Sequence, residues 1–262
     1  MRGTALVTGA TAGLGAAFAR QLAAAGHDLV VVARDEARLA ALGNELTAAH
    51  GHTVTPLPAD LATEPGVSAV AARLADPDHP VDLLVNNAGI GLGGSLLRNP
   101  VDDEVRMLRL NVEAVLRLTL AALPPMVRRG AGAVVNVASV AGFGPMPGNA
   151  YPATKSWVIN FSESAYLQVR GRGVHVMALC PGFVRTEFHA RAGIAATGVP
   201  ARLWLDADDV VTAALADLRR RRPVSVPDRR YRALVTLMRH APRRLLHGMA
   251  GRAAARRPKQ DH

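Results

Sequence analysis

The chain has little cysteine, lysine or aromatic content, and each shortage excludes something. A single cysteine, Cys180, cannot close an internal disulfide, and at the end of an apolar run it reads as a small packed hydrophobe. The chain opens straight into MRGTALVTG, with no charged segment followed by an apolar stretch, so no secretory leader is read and a reducing cytoplasm is the expected compartment. No run approaches about 18 uninterrupted apolar residues, which argues against a transmembrane helix. The nine histidines show no metal-like spacing, so no metal site is expected. Aromatic residues make up 4% of 262 positions, so a core must rest on alanine, valine and leucine within the 49% apolar total.

The formal charge of +10 sits almost entirely at one end. Residues 219–262 hold 14 Arg or Lys against 2 acids, leaving a net −2 over residues 1–218. Such a tail reads either as a solvated terminus or as a dock for an acidic partner or anionic membrane surface. A nucleic-acid role lacks interleaved aromatics and any recognisable module.

What is present is a regular alternation. Short apolar runs at 4–9, 28–33, 53–57, 82–88, 133–139, 174–180 and 223–227 read as buried strands, and amphipathic stretches at 14–25, 36–49, 104–123, 152–169 and 207–219 read as helices. Strand followed by helix, repeated, demands right-handed crossovers and a parallel sheet covered on both faces. The fold class is therefore a single doubly wound α/β domain of Rossmann type with seven parallel strands. The expected boundaries are 1–230 for this domain and 231–262 for a basic appendage. In the latter, residues 231–250 form two amphipathic halves divided by Pro242, with Leu234, Leu237, Met238, Leu245, Leu246 and Met249 at helical spacing.

The first strand ends in Thr8-Gly9-Ala10-Thr11-Ala12-Gly13-Leu14-Gly15 and enters a helix at once. Glycines there let the backbone turn sharply and approach a pyrophosphate, whose charge meets the N–H groups of the helix start. The spacing is Gly-x3-Gly-x-Gly rather than G-x-G-x-x-G, and a glycine turn between strand and helix can also be purely structural. At the end of the second strand stands Arg34, where an arginine complements a 2′-phosphate and an acid would accept from ribose hydroxyls. This favours NADP over NAD, the alternative being a solvated arginine; Asp35 beside it suits the N-cap of the next helix. After the third strand, Asp60-Leu61 is placed to accept from an adenine amine.

The sharpest local signal is Tyr151-Pro152-Ala153-Thr154-Lys155. Pro152 suits a first helical turn, which puts Tyr151 at the helix mouth and Lys155 above it on the same face. A neighbouring ammonium makes a phenol of ordinary pKa about 10 easier to ionise, fitting it for proton transfer. Of 31 basic residues only Lys155 and Lys259 are lysine, so a position that keeps lysine against that usage points to a need for a compact ammonium.

Together, Thr8-Gly9-x3-Gly13-x-Gly15, Asp60, Asn86-Asn87-Ala88-Gly89, Asn111, Ser139, Tyr151-x3-Lys155 and Pro181-Gly182 resemble the short-chain dehydrogenase/reductase family, NADP-preferring type, over residues 4–227. The resemblance implies hydride transfer between NADP(H), with NAD(H) as a second option, and a carbonyl or secondary alcohol. It assigns Tyr151 as proton donor, Lys155 as the group that lowers its pKa and clamps the ribose, Ser139 as carbonyl polariser, and Asn111 as anchor of a water relay. Gly9, Thr11, Gly13, Leu14, Gly15, Arg34, Asp60, Leu61, Asn87, Ala88, Gly89, Tyr151, Lys155, Pro181, Gly182, Val184 and Thr186 are then the cofactor residues. Two departures stand out: Ala12 occupies a position often basic in NADP-dependent relatives, leaving Arg34 with Arg38 to meet the phosphate, and Thr154 replaces a usual serine while keeping its hydroxyl. Val140, Phe143, Met146, Phe188, Ile194 and Trp204, with His189, Arg185 and Arg191, are the expected substrate lining. They suit an apolar ketone or 3-oxoacyl substrate, although several could equally be core residues. The resemblance further implies a homodimer or homotetramer. The rival reading is a non-catalytic NADP-binding scaffold or sensor acting through its basic tail.

Overall fold

The computed structural model describes residues 3–193, 199–242, 244 and 246–248. In chain order the elements are β1 (Thr4–Thr8), α1 (Gly13–Ala24), β2 (Asp28–Ala33), α2 (Glu36–His50), β3 (Val54–Pro58), α3 (Glu64–Ala75), β4 (Leu83–Asn86), α4 (Val101–Leu108), α5 (Ala114–Arg129), β5 (Gly132–Val137), α6 (Tyr151–Val169), β6 (Val174–Leu179), β7 (Phe183–Val184), α7 (Phe188–Arg191), β8 (Trp204–Leu205), α8 (Ala207–Arg219), β9 (Val224–Ser225) and α9 (Arg229–His240). Seven of the nine strands form one parallel sheet in the order β3-β2-β1-β4-β5-β6-β9, and β7 with β8 makes a separate two-residue ribbon. The seven expected strands are these seven.

The register follows from strands that are apolar on both faces. Leu6 stands opposite Val30 on one side and Leu84 on the other, and all three are buried. One face of the sheet packs on α1, α2 and α8 through Phe18, Leu22, Leu39, Leu46 and Val211; the other packs on α3 and α5 through Val67, Val70, Leu118 and Met126. Because the strand order reverses between β1 and β4, a crevice opens at the carboxyl ends of the central strands. Every loop that carries a candidate site residue leaves the sheet at that edge.

Two boundaries differ from the sequence reading. The helix expected over 104–123 is a rod from Val101 to Arg129 in which α4 and α5 are joined by a π-helical turn, Arg109–Glu113. Pro124 and Pro125 lie inside α5, which runs on to the left-handed Gly130. Among the described helices this rod is the one long and apolar enough to cross a membrane, yet 44% of its most apolar window is buried in the protein. At the other boundary, position 230 falls inside α9. Tyr231 and Val235 are buried in a third apolar cluster with Val158, Ile159, Ala178 and Cys180, so the start of the expected appendage is core. Leu245, Met249 and the end of the tail lie outside the described residues.

Candidate active site

The crevice floor is the loop from β1 into α1. Gly9 and Gly13 adopt φ of +64° and +53°, and a Cβ on Gly15 would lie 2.1 Å from the Gly9 carbonyl oxygen. Among the described residues, the start of α1 lacks a side-chain cap, as do those of α4, α5, α6 and α7. Side chains of Asp35, Thr63, Asp206 and Asp228 cap α2, α3, α8 and α9, whereas among the described residues Ala12 supplies no cap to α1 and its first turn holds no acid. The amide donors and positive end of that helix therefore face the crevice, a donor set that fits a pyrophosphate. Thr11 lies in this loop, Leu14 packs its side chain on the core, and Thr186 closes from the far side against Gly13.

The neighbouring loop after β4 is tied to this floor. Thr8 Oγ1 accepts from the Asn87 and Ala88 amides (2.9 and 3.0 Å), and Asn87 Nδ2 donates to the Thr8 and Gly9 carbonyls (2.9 and 3.2 Å). The Asn87 side chain thus braces the glycine loop, and Ala88 and Gly89 continue along the crevice. Asn86 lies beneath, where Nδ2 donates to Asn136 Oδ1 (2.9 Å) and Thr119 Oγ1 (3.1 Å), while Asn136 Nδ2 donates to Ser162 Oγ (2.9 Å). This buried polar chain welds β4, β5, α5 and α6 together under the site.

On the next two strands the reactive groups converge. Tyr151 opens α6 and hydrogen-bonds with Ser139, which follows β5; Ser139 Oγ also accepts from the Ala141 amide at 3.1 Å. Lys155 Nζ lies 5.7 Å from the Tyr151 ring centroid and donates to the Val137 carbonyl at 2.7 Å. Burial raises the Tyr151 pKa to about 12 against the opposing pull of Ser139, and burial lowers that of Lys155 to about 8. The expected lowering of the tyrosine pKa by lysine is therefore absent here: the ammonium faces the ring rather than the hydroxyl, and desolvation wins. Asn111 sits in the π-helical turn, fully buried, with Nδ2 donating to the Ile90 carbonyl (2.8 Å) and to Thr154 Oγ1 (3.2 Å), and Oδ1 accepting from the Ile90 amide (2.9 Å). Thr154 Oγ1 donates in turn to the Tyr151 carbonyl at 2.7 Å, so the hydroxyl that replaces serine is in use.

At the other end of the crevice, Arg34 follows β2 and its charge reaches Asp60. Burial would raise the Asp60 pKa, but the Ala62 amide, the Arg106 guanidinium at 2.8 Å and the charge of Arg34 hold it below the ordinary value. The Asp60 carboxylate is thus already engaged by Arg106, a partner the sequence reading did not supply, and Leu61 beside it is a core side chain. Arg38 reaches across to Glu187 at 3.3 Å.

Of the expected substrate lining, Phe188 packs beside Tyr151, with ring centroids 5.8 Å apart. His189 and Trp204 stack about Phe183, at centroid separations of 5.4 and 5.6 Å, and burial lowers the His189 pKa. Met146 is half-exposed. Val140 and Phe143 pack on the third core cluster, Arg191 pairs with Glu187, and Arg185 donates to the Trp204 carbonyl. Pro181, after β6, and Val184, in β7, are buried, with Gly182 and Phe183 between them. Ile194 lies outside the described residues.

Comparison with known proteins places this constellation. The short chain dehydrogenase family matches residues 3–195. The chain belongs to the short-chain dehydrogenase family. A short chain dehydrogenase of Pseudocercospora fijiensis is 37% identical over 71% of this chain, and the match spans 61% of that relative's own length. Among solved structures, a short-chain dehydrogenase from Sphingobium yanoikuyae in complex with NADPH superposes with a TM-score of 0.83 at 35% identity, over 99% of this chain and 98% of that one. A bulky-bulky ketone specific alcohol dehydrogenase from Comamonas testosteroni superposes with a TM-score of 0.78 at 30% identity, over 99% and 96%.

Within this family member, sequence reasoning missed the groups that hold the mouth of α6. Glu104 on α4 accepts from the Ala150 amide (3.1 Å) and from Asn99 Nδ2 (2.8 Å), Asn149 Oδ1 accepts from the Tyr151 amide (2.9 Å), and Asn149 Nδ2 donates to the Leu92 carbonyl. An acid in a first helical turn reads as a dipole partner of its own helix, so nothing in the sequence directed Glu104 to another one.

Proposed function

We propose that this protein transfers a hydride between NADP(H) and a carbonyl or secondary alcohol, with an apolar ketone or a 3-oxoacyl compound as the substrate. The observation that carries the reading is the convergence of Ser139, Tyr151 and Lys155 beside a glycine loop whose helix start is left uncapped. Nicotinamide, when bound, supplies or accepts the hydride. The rest belongs to the chain. Tyr151, with burial holding its pKa at about 12, keeps its proton at neutral pH and can give it to a carbonyl oxygen. Ser139, already hydrogen-bonded to that phenol, can donate to the same oxygen as its charge develops. Lys155 can turn its ammonium to ribose hydroxyls and the phenol, while Asn111 and Ile90 brace the helix from below. Gly9 to Gly15 and the end of α1 would cradle the pyrophosphate, and Arg34 would meet the 2′-phosphate.

The aromatic wall of Phe188, Phe183 and Trp204 favours an apolar substrate over a polyol, in keeping with the bulky-ketone specificity named for the Comamonas relative. Exposed Leu108, Leu120 and Leu167 on α4, α5 and α6 support association into a homodimer or homotetramer, which light scattering would measure. The deciding experiment titrates NADPH and NADH by nicotinamide fluorescence and then follows NADPH consumption with a panel of apolar ketones. Tighter NADPH binding with turnover of at least one ketone is expected; NADPH binding with no turnover across a broad panel would overturn the catalytic reading.

A further inference from the structure

The wall after β6 has too little structure to hold itself. The β7–β8 ribbon is two residue pairs, Phe183 with Trp204 and Val184 with Leu205, and a ladder that short is marginal alone. Besides the Arg185 bonds to the Leu205 and Trp204 carbonyls and the Val140 amide on the Pro181 carbonyl, it is supported by α9. Asp228 caps that helix by accepting from the Arg230 and Tyr231 amides at 2.8 and 3.2 Å, which sets the direction of Tyr231. Tyr231 is 4% exposed. Its hydroxyl donates to the Leu203 carbonyl at 2.7 Å and accepts from the Phe183 amide at 3.1 Å, so one phenol bridges the two sides of the ribbon. Its ring covers Gly182 so closely that a Cβ there would lie 2.1 Å from Cζ. Three residues beyond Phe183, Thr186 meets Gly13 of the pyrophosphate loop, and two further on, Phe188 meets the ring of Tyr151. The same helix is anchored again nearer its end, where Arg239 lies 4.8 Å over the Phe143 ring and 3.7 Å from Glu163 of α6.

We propose that Tyr231 is a positioning residue for the nicotinamide half of the cleft, its hydroxyl fixing the Pro181–Thr186 segment at the height that cofactor and substrate require. The proposal rests on the dehydrogenase reading above. Tyr231 touches none of the reacting groups; it acts through Gly182 and Phe183. A phenol that merely filled space would be replaced by phenylalanine without consequence, because the ring and its packing on Gly182 remain.

The test is Tyr231→Phe in the full-length protein, read by thermal unfolding, by NADPH affinity, by kcat and KM for a ketone that the wild type reduces, and by the affinity of 2′,5′-ADP, which occupies only the adenosine end. Loss of the two hydrogen bonds that hold the loop should weaken NADPH binding at least about 5-fold and lower kcat, with 2′,5′-ADP affinity unchanged within about twofold. NADPH affinity and kcat within about twofold of wild type would overturn the proposal alone. An equal loss of 2′,5′-ADP affinity would also overturn it, making Tyr231 a support of the whole fold. A wild type that neither binds NADPH nor reduces any ketone would sink the dehydrogenase reading itself, and this proposal with it.

Discussion

The two walls of the crevice are held in opposite ways. The wall made by the loops after β1 and β4 is wired into the sheet: Asn87 and Ala88 donate four hydrogen bonds to Thr8 and Gly9 across adjacent strands, and Asn86 anchors the chain below. The wall made by the segment after β6 has a two-pair ribbon, a single-turn helix and an aromatic stack, and it depends on a phenol 48 residues further along the chain. On the function proposed above, the first wall, fixed by register, would face the part of a dinucleotide that never varies. The second would face nicotinamide and substrate, and hanging it on a separate helix lets it move or change without disturbing the sheet.

The largest expected effect breaks neither wall. Tyr151→Phe removes the proposed proton donor and keeps the ring and the helix, so turnover should fall about 10²–10⁴-fold with NADPH affinity unchanged, as measured by steady-state rates and fluorescence titration. Survival of more than a few per cent of the rate would exclude Tyr151 as the general acid. Next comes the first wall. Gly15→Ala drives a methyl into the Gly9 carbonyl and within 2.5 Å of Asn87 Nδ2, displacing the start of α1. Overpacking of this kind costs about 1–3 kcal/mol, and NADPH affinity should fall by at least about tenfold while the far-ultraviolet circular dichroism stays that of the wild type. Unchanged NADPH affinity would mean that this loop does not hold the pyrophosphate.

Much of the first wall and the Tyr151–Lys155 pair on α6 were legible in the sequence because their meaning is local. Glycines between a strand and a helix, and a tyrosine four residues before a rare lysine, constrain backbone and side chains within one or two turns. The seven strands were legible for the same reason, since valine-rich runs on a fully covered sheet leave little choice. What was not legible depends on partners far away in the chain. Asp60 reads as an adenine acceptor, and nothing near it in the chain shows that Arg106, 46 positions later, also engages it. Asn87 reads as a cofactor residue, and nothing local shows that its amide also braces the glycine loop. Tyr231 reads as the first residue of an appendage, although it lies in the core.

At the adenosine end a smaller effect is expected. Arg34→Ala should weaken NADPH binding about tenfold and leave NADH unchanged, since a charge-assisted phosphate contact is worth about 1.5–3 kcal/mol. Its counterpart is Glu187→Gln. The Arg38–Glu187 pair is exposed and contributes little to stability, but releasing Arg38 should improve NADPH affinity about twofold. A gain for NADH of the same size would show that Arg38 does not reach the 2′-phosphate.

The last effect is a pH dependence of stability rather than of binding, and it isolates Lys155 of α6, which belongs to neither wall. Without cofactor, Lys155 has a folded pKa of about 8 against an ordinary 10.5, because burial disfavours its ammonium. Between those values the unfolded chain binds more protons than the folded one, so stability should rise with pH across that window, the burial cost being fully present below about pH 8. Tyr151 acts in the opposite sense and later: its folded pKa of about 12 lies above the ordinary 10, so its contribution is lost only as pH rises through that higher range. Thermal unfolding of wild type and of Lys155→Met should therefore differ most near neutral pH and converge toward about pH 10, the methionine variant being the more stable at the lower end. Saturating NADPH should flatten the wild-type slope, because ribose hydroxyls that accept from the ammonium raise its folded pKa toward the unfolded value. A slope that NADPH leaves unaltered would mean that Lys155 stays on the Val137 carbonyl and never turns to the ribose.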